Sequence, residues 1–268
     1  MAIPFEIASL SLAMTARIRK LMFKKSKKGY YYWDEFYKLG VVNGFSTKAF
    51  GDMNRNNPKY DLNLEKFCKI LSIDKSHLVA MEQVHGDKVY LASKKDLGSV
   101  IDNADGLICQ EDNAFLICKS ADCIPVLFFD KLLKIVGIAH VGWKGAYKEI
   151  VKTLVSQMIE RGSKAKNILV GIGPSIRDCC YSIDKDRAEI FVKKFQKWKE
   201  KILSKKHNNE FLSLQKLIQL QLLSAKLLKN NIIDSTVCTV DNNHDFYSYR
   251  WEKENNRTKR FLTVIGIK

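Results

Sequence analysis

Three residues with donor chemistry stand beside apolar runs: His85 in "QVHGDKV", Cys123 in "SADCIP" and His140 in "AHVGWKG". A thiol with two imidazoles suits two chemistries. The set can hold zinc through three protein ligands, leaving a fourth position for water or substrate. Alternatively, Cys123 is a nucleophile with His140 or His85 as its base. The separations of 38 and 17 residues match no local metal motif. Spacing therefore leaves both chemistries open, together with a plain buried Cys beside two hydrogen-bonded histidines. Gly86 and Gly142 let the backbone approach closely at two of the three positions. Of the other histidines, His77 falls in a polar connection and His207 in the loop "SKKHNNE", while His244 neighbours aromatic residues and is a candidate pocket residue.

The surrounding pattern says which elements must position these groups. "AFLICKS", "IPVLFFD" and "KIVGIAHV" are short, β-branched and aromatic-rich runs, and they read as buried strands. "KVYLAS" (88–93), "NILVGIG" (167–173), "STVCTV" (235–240) and "RFLTVIGI" (260–267) read as further strands. Helical spacing appears over 61–73, through Leu64, Phe67, Ile70 and Leu71, and over 145–162, where Gly162 supplies a C-cap. Two more helical segments span roughly 184–201 and 211–229. This mixture predicts a layered α/β (α+β-like) domain, a mixed sheet with flanking helices, without the regular βαβ alternation of a doubly wound nucleotide fold. Phosphate loops of the GxGxxG and GxxxxGK[ST] types and the GxSxG elbow do not occur.

The 268 residues are 46% hydrophobic, enough for one sizeable core, and no apolar run is long enough to span a membrane. Lys and Arg number 45 against 29 Asp and Glu, a net charge of +16. Such a balance suits anionic partners, but the lysines are spread through nearly every segment and no nucleic-acid-binding signature accompanies them, so a solvated basic surface is expected. Seven cysteines without a CxxC pair point to a reducing compartment and a cytoplasmic protein. The first 28 residues carry one acid, Glu6, and several bases, which fits a targeting segment, a surface amphipathic helix or an ordinary basic first helix. Residues 1–29 are therefore read as a basic extension and 30–268 as one domain.

In order along the chain, "NGFSTK", "QVHGDKV", "SADCIPVLFFD", "AHVGWKG", "IGPSIRDCCYSI", "CT" and "FYSYRW" resemble the motifs of the laccase-domain family. Members are named multicopper polyphenol oxidoreductases and are also described as purine nucleoside phosphorylases with adenosine deaminase activity. The resemblance covers about residues 40 to 268. It implies a single layered domain with one zinc bound by His85, Cys123 and His140, and purine nucleosides and inorganic phosphate as substrates. Asp122 becomes a candidate general acid beside Cys123 and His140, and the basic residues Lys48, Lys144 and Arg250 become candidate substrate-binding groups. Trp143 is then a pocket wall or a packing wedge.

The chain departs from the family pattern at Lys48 and Lys144, where Arg is usual, and at Ser182-Ile183, Trp251 and Leu212-Ser213-Leu214. Lysine keeps the charge but loses the planar fork that grips a phosphate. Three alternatives stay beside the nucleoside enzyme. A copper polyphenol oxidase is disfavoured, because five histidines are too few for a blue-copper site plus a trinuclear cluster. A Cys123-dependent amide hydrolase acting on cell-wall precursors is the second. A basic binding protein derived from the same fold is the third.

Overall fold

The computed structural model of the chain describes residues 23–254 and 257–268. The first part runs β1 (Phe23–Lys25), β2 (Tyr31–Trp33), α1 (Asp34–Lys38), β3 (Val41–Phe45), α2 (Tyr60–Leu71), β4 (Leu78–Met81), β5 (Val89–Ala92) and β6 (Val100–Ile101). The middle contains β7 (Gly106–Cys109), β8 (Phe115–Ser120), β9 (Ile124–Asp130), β10 (Ile135–Val141), α3 (Trp143–Tyr147), α4 (Ile150–Glu160) and β11 (Ile168–Ile172). The last part adds β12 (Ser182–Ile183), α5 (Lys185–Lys194), α6 (Lys199–Ile202), β13 (Leu203–Lys206), β14 (Asn209–Leu212), α7 (Leu214–Ser224), β15 (Ile232–Asp234) and β16 (Phe261–Ile267).

Seven strands form one sheet in the order β1-β2-β3-β16-β8-β4-β6, and six form a second in the order β15-β11-β9-β10-β7-β5. Most pairs are antiparallel; β4 with β6 and β8, β5 with β7, and β11 with β15 are parallel. The sheets face each other across Trp33, Phe45, Leu116 and Ile265 of one and Leu107, Leu127, Phe129 and Ile138 of the other. Helix α2 covers the outer face of the first sheet with Leu64, Phe67 and Leu71. Helices α4 and α7 cover the second, setting Val151, Leu154, Leu217 and Ile218 over Val126, Phe128 and Val170. The result is a helix–sheet–sheet–helix sandwich. Both faces of β9 and β10 are covered, which is why their sequences are apolar without alternation. Each Leu or Phe so enclosed contributes about 1.5–3 kcal/mol.

Several elements differ from the sequence expectation, each for a local reason. The helical period over 145–162 is continuous, yet the chain breaks into α3 and α4 at Glu149, which adopts a left-handed φ of 64°. Gly162 does close α4, at φ 93°, with its N–H on the Ile159 carbonyl. The segment expected as a helix from 211 begins at Leu214, because Asn209–Leu212 pairs with β13 in a small third sheet. The alternating "STVCTV" is not a strand: β15 ends at Asp234, and Cys238 makes only an isolated bridge to Ser175. Residues 23–29, assigned to the basic extension from the sequence, carry β1 and the turn that follows it. Phe23 is buried against Tyr31, Trp33 and Phe45, and Gly29, at φ 89°, turns β1 back onto β2. Of the first 28 residues, read as a targeting segment or a helix, positions 1–22 lie outside the described residues, and Phe23–Lys25 is a strand. Among the described residues no helix is long and apolar enough to cross a membrane.

Candidate metal centre

Three chain segments meet at one point. His140 is the penultimate residue of β10, Cys123 lies in the turn between β8 and β9, and His85 sits in the loop after β4 at a left-handed φ of 59°. Their donor atoms all fall within 4.8 Å of one another. The Cys123 Sγ is 3.7 Å from His85 Nε2, and the two imidazole rings stand edge to face at 4.9 Å between centroids. The local sequence makes room for this. A Cβ on Gly142 would lie 2.9 Å from His85 Cδ2 and 3.2 Å from Cys123 Sγ, so only glycine leaves the donors free to converge.

One residue that the sequence did not single out holds the arrangement together. Asp105 is fully buried and accepts the His140 Nδ1 proton at 2.8 Å. The same carboxylate accepts backbone N–H groups of Val84, His85 and Gly86 at 3.1, 3.0 and 2.6 Å. It therefore aims the His140 Nε2 lone pair into the site and holds the His85 loop in its left-handed turn. Burial opposes the Asp105 charge, but the bonds from His140 and the loop amides outweigh it and keep the carboxyl below its usual range. A carboxylate behind a ligating imidazole is the usual outer support of a zinc site. The donor set, its convergence and this support all fit zinc.

Burial also opposes the Cys123 thiolate, but the His140 charge and hydrogen bonds from both imidazoles bring the thiol down to about 6. For His140, burial is overcome by Cys123 and Asp105, which raise it to about 9. In metal-free protein these opposite shifts favour the thiolate–imidazolium form of the pair. The depressed thiol loses its stabilising contribution as pH falls through about 6, and the raised imidazole loses its own as pH rises through about 9. Iodoacetamide should accordingly label Cys123 of chelator-treated protein rapidly at pH 7.5 and roughly tenfold more slowly at pH 5. Peptide mapping of the alkylated thiol checks this; a rate that keeps rising up to pH 9 would mean an ordinary thiol.

The donors open into a cavity of about 920 Å³. Trp143 lines it and also packs against the core under β10, so it is both wall and wedge. Tyr181 forms part of the same lining, with the Arg250 guanidinium 5.5 Å from its ring centroid, and Arg187 lies 4.6 Å from the Trp143 ring centroid. Arg55, Lys119 and Arg260 also line the cavity, and among the described residues none of them has a carboxylate within ion-pair distance. Burial and then the charges of Arg55 and Arg260 push the Lys119 ammonium below its ordinary range.

The residues expected from the sequence divide. His85, Cys123, His140, Asp122 and Arg250 line the cavity. Lys48 does not: its Nζ is 2.6 Å from Glu252 and faces the Tyr247 ring. Lys144 does not either, lying exposed beside Trp143. Charge is legible in sequence; the direction of a long side chain is not. Asp122 is buried, with one oxygen on Thr239 Oγ1 at 2.6 Å and the other on the Arg250 N–H at 2.7 Å. Burial raises its pKa against those bonds. With both oxygens engaged, Asp122 braces the Arg250 loop and is poorly disposed to exchange protons with a substrate. His77, His207 and His244 remain outside the donor cluster and the cavity lining.

Sandwich, donor set and motif order together define the laccase-domain class of protein. The chain belongs to the multi-copper polyphenol oxidoreductase laccase family, whose model matches residues 42–268. It is 30% identical over 240 residues to the purine nucleoside phosphorylase YlmD of Bacillus subtilis, covering 84% of this chain and 85% of that one. Among solved structures, the Bacillus licheniformis hypothetical protein YfiH superposes with a TM-score of 0.84 at 28% identity, over 92% of this chain and 99% of that one. YlmD from Geobacillus stearothermophilus superposes at 0.83 with 25% identity, over 92% and 99%.

Proposed function

We propose that the protein is a zinc-dependent purine nucleoside phosphorylase, acting on adenosine, inosine or guanosine with phosphate, with adenosine deamination as an accompanying activity. The observation that carries this reading is a soft donor triad in a cavity that is also lined by aromatic side chains and by cations that have no carboxylate at ion-pair distance among the described residues. Relatives named purine nucleoside phosphorylase support the same substrate class.

His85, Cys123 and His140 would hold the zinc, which supplies a Lewis acid in that cavity. Tyr181 and Trp143 offer flat surfaces for a purine. Arg55, Lys119 and Arg260 offer the phosphate its donors, and Arg250 adds a guanidinium beside Tyr181. In phosphorolysis a phosphate oxygen forms a bond to ribose C1′ while the C1′–N9 bond breaks. The electron pair passes to the base, which takes a proton. In deamination water adds at purine C6 and ammonia leaves. Asp122 positions Arg250 in either case, and Lys48 and Lys144 stand away from the chemistry. The family's copper name finds less support. All five histidines are described, and the sole histidine-containing donor group gathers only two of them, too few for a trinuclear copper cluster.

Incubation of pure protein with adenosine and phosphate should release adenine and ribose 1-phosphate, with inosine if deamination accompanies it. None of the three products, from protein carrying about one zinc in this site, would overturn the reading. If Lys119 and Arg260 grip phosphate, Arg260→Ala should raise the KM for phosphate about tenfold or more and leave the KM for the nucleoside nearly unchanged. A parallel rise in both constants would place Arg260 elsewhere in the scheme.

A further inference from the structure

A second group of donors lies outside the His85–Cys123–His140 site. The ligand atoms of Cys179, Cys180, Cys238 and Asp241 all fall within 4.8 Å of one another. They come from two turns. Residues 178–180 form a tight turn, with the Cys180 and Tyr181 N–H groups both on the Arg177 carbonyl, so neighbouring thiols face the same way. Cys238 and Asp241 are one helical turn apart, and the Asn242 N–H bonds the Cys238 carbonyl. Ser175 joins the two segments through backbone bonds to Val237 and Thr239. The Cys179 and Cys180 sulfurs each lie 3.4 Å from a different oxygen of Asp241. Donors around a tetrahedral zinc, with bonds of about 2.0–2.3 Å, stand on the order of 3.5 Å apart.

We propose that Cys179, Cys180, Cys238 and Asp241 form a second zinc site, closed by four protein donors and structural in character. Three thiolates and a carboxylate make a soft, anionic set with the donor count of a structural zinc. A divalent ion would be met by coordinated thiolates and the carboxylate together. The site would clamp two turns that carry the cavity wall. Tyr181 follows Cys180, and Thr239, after Cys238, holds Asp122 beside the first donor set. The inference stands independently of the proposed activity.

The test is zinc content per chain of the full-length protein, reduced, loaded with zinc and desalted, measured by mass spectrometry. Wild type should carry about two zinc ions, Cys123→Ser about one, Cys179→Ser about one and the double variant none. Cys179 is exposed, so its serine variant should fold; Asp241→Asn, also at the surface, provides a second variant that should weaken the same site. Cobalt(II) loaded into Cys123→Ser should show a thiolate charge-transfer band that Cys179→Ser removes. Cys123→Ser with no bound metal, or Cys179→Ser with the wild-type content, would overturn the proposal. So would a disulfide within the trio in the zinc-loaded protein, detected as a mass two hydrogens light.

Discussion

Cys123→Ser should lose the metal of the first site and, with it, product formation from adenosine and phosphate, by on the order of 10²–10⁴-fold. The reason is geometric as well as chemical. Cys123 supplies the one anionic donor, its sulfur lies with both imidazoles, and the absence of a Cβ at Gly142 leaves the three room to converge. A serine hydroxyl occupies nearly the same volume, so the thermal transition should change little while the donor chemistry disappears. Mass spectrometry of metal content beside the product assay checks this. Activity lost with zinc retained at this site would favour the Cys123 nucleophile, and full activity would remove both chemistries.

Asp105→Asn should lower metal affinity and turnover by 10–100-fold without touching a ligand. The carboxylate accepts four N–H groups, from His140 Nδ1 and from Val84, His85 and Gly86. An amide has one oxygen, and its NH₂ group would confront donors where the lost oxygen accepted them. At least one buried donor is then left without a partner, at a cost of about 1–3 kcal/mol, and the His140 ring is free to turn. Metal titration followed by thermal unfolding separates the two effects. Asp122→Asn is the informative comparison: it should disturb the Arg250 loop and leave zinc binding at His85, Cys123 and His140 nearly intact. Equal losses from the two variants would mean that Asp105 acts through the fold alone.

The donor triad was legible because each member interrupts or borders an apolar run, and the ordered motifs tied the three together. The supporting shell was not. Asp105 lies in "NADGL", a stretch that reads as an ordinary turn, and its importance depends on a loop 20 residues earlier and a strand 35 residues later. Lys48 and Lys144 were reasonable phosphate ligands by charge, yet Glu252 holds one and the other stays in solvent beside Trp143. Among the cations that line the cavity, Arg55, Lys119 and Arg260 come from three distant segments with no shared motif.

The same division runs through the fold. Apolar runs located β8, β9, β10 and β16, and helical spacing located α2, since burial on two faces leaves a continuous apolar run and burial on one leaves a period. It did not show that β16 crosses to the centre of one sheet while β10 lies in the other, or that helical periodicity breaks at Glu149. Those outcomes depend on which faces meet, a sum over residues far apart in the chain. So the sequence determined the donors, the apolar runs beside them and the family; only the tertiary structure decided which charges reach the cavity and which carboxylate aims the histidine. Donor chemistry belongs to individual side chains, whereas position and direction arise when distant segments pack against one another.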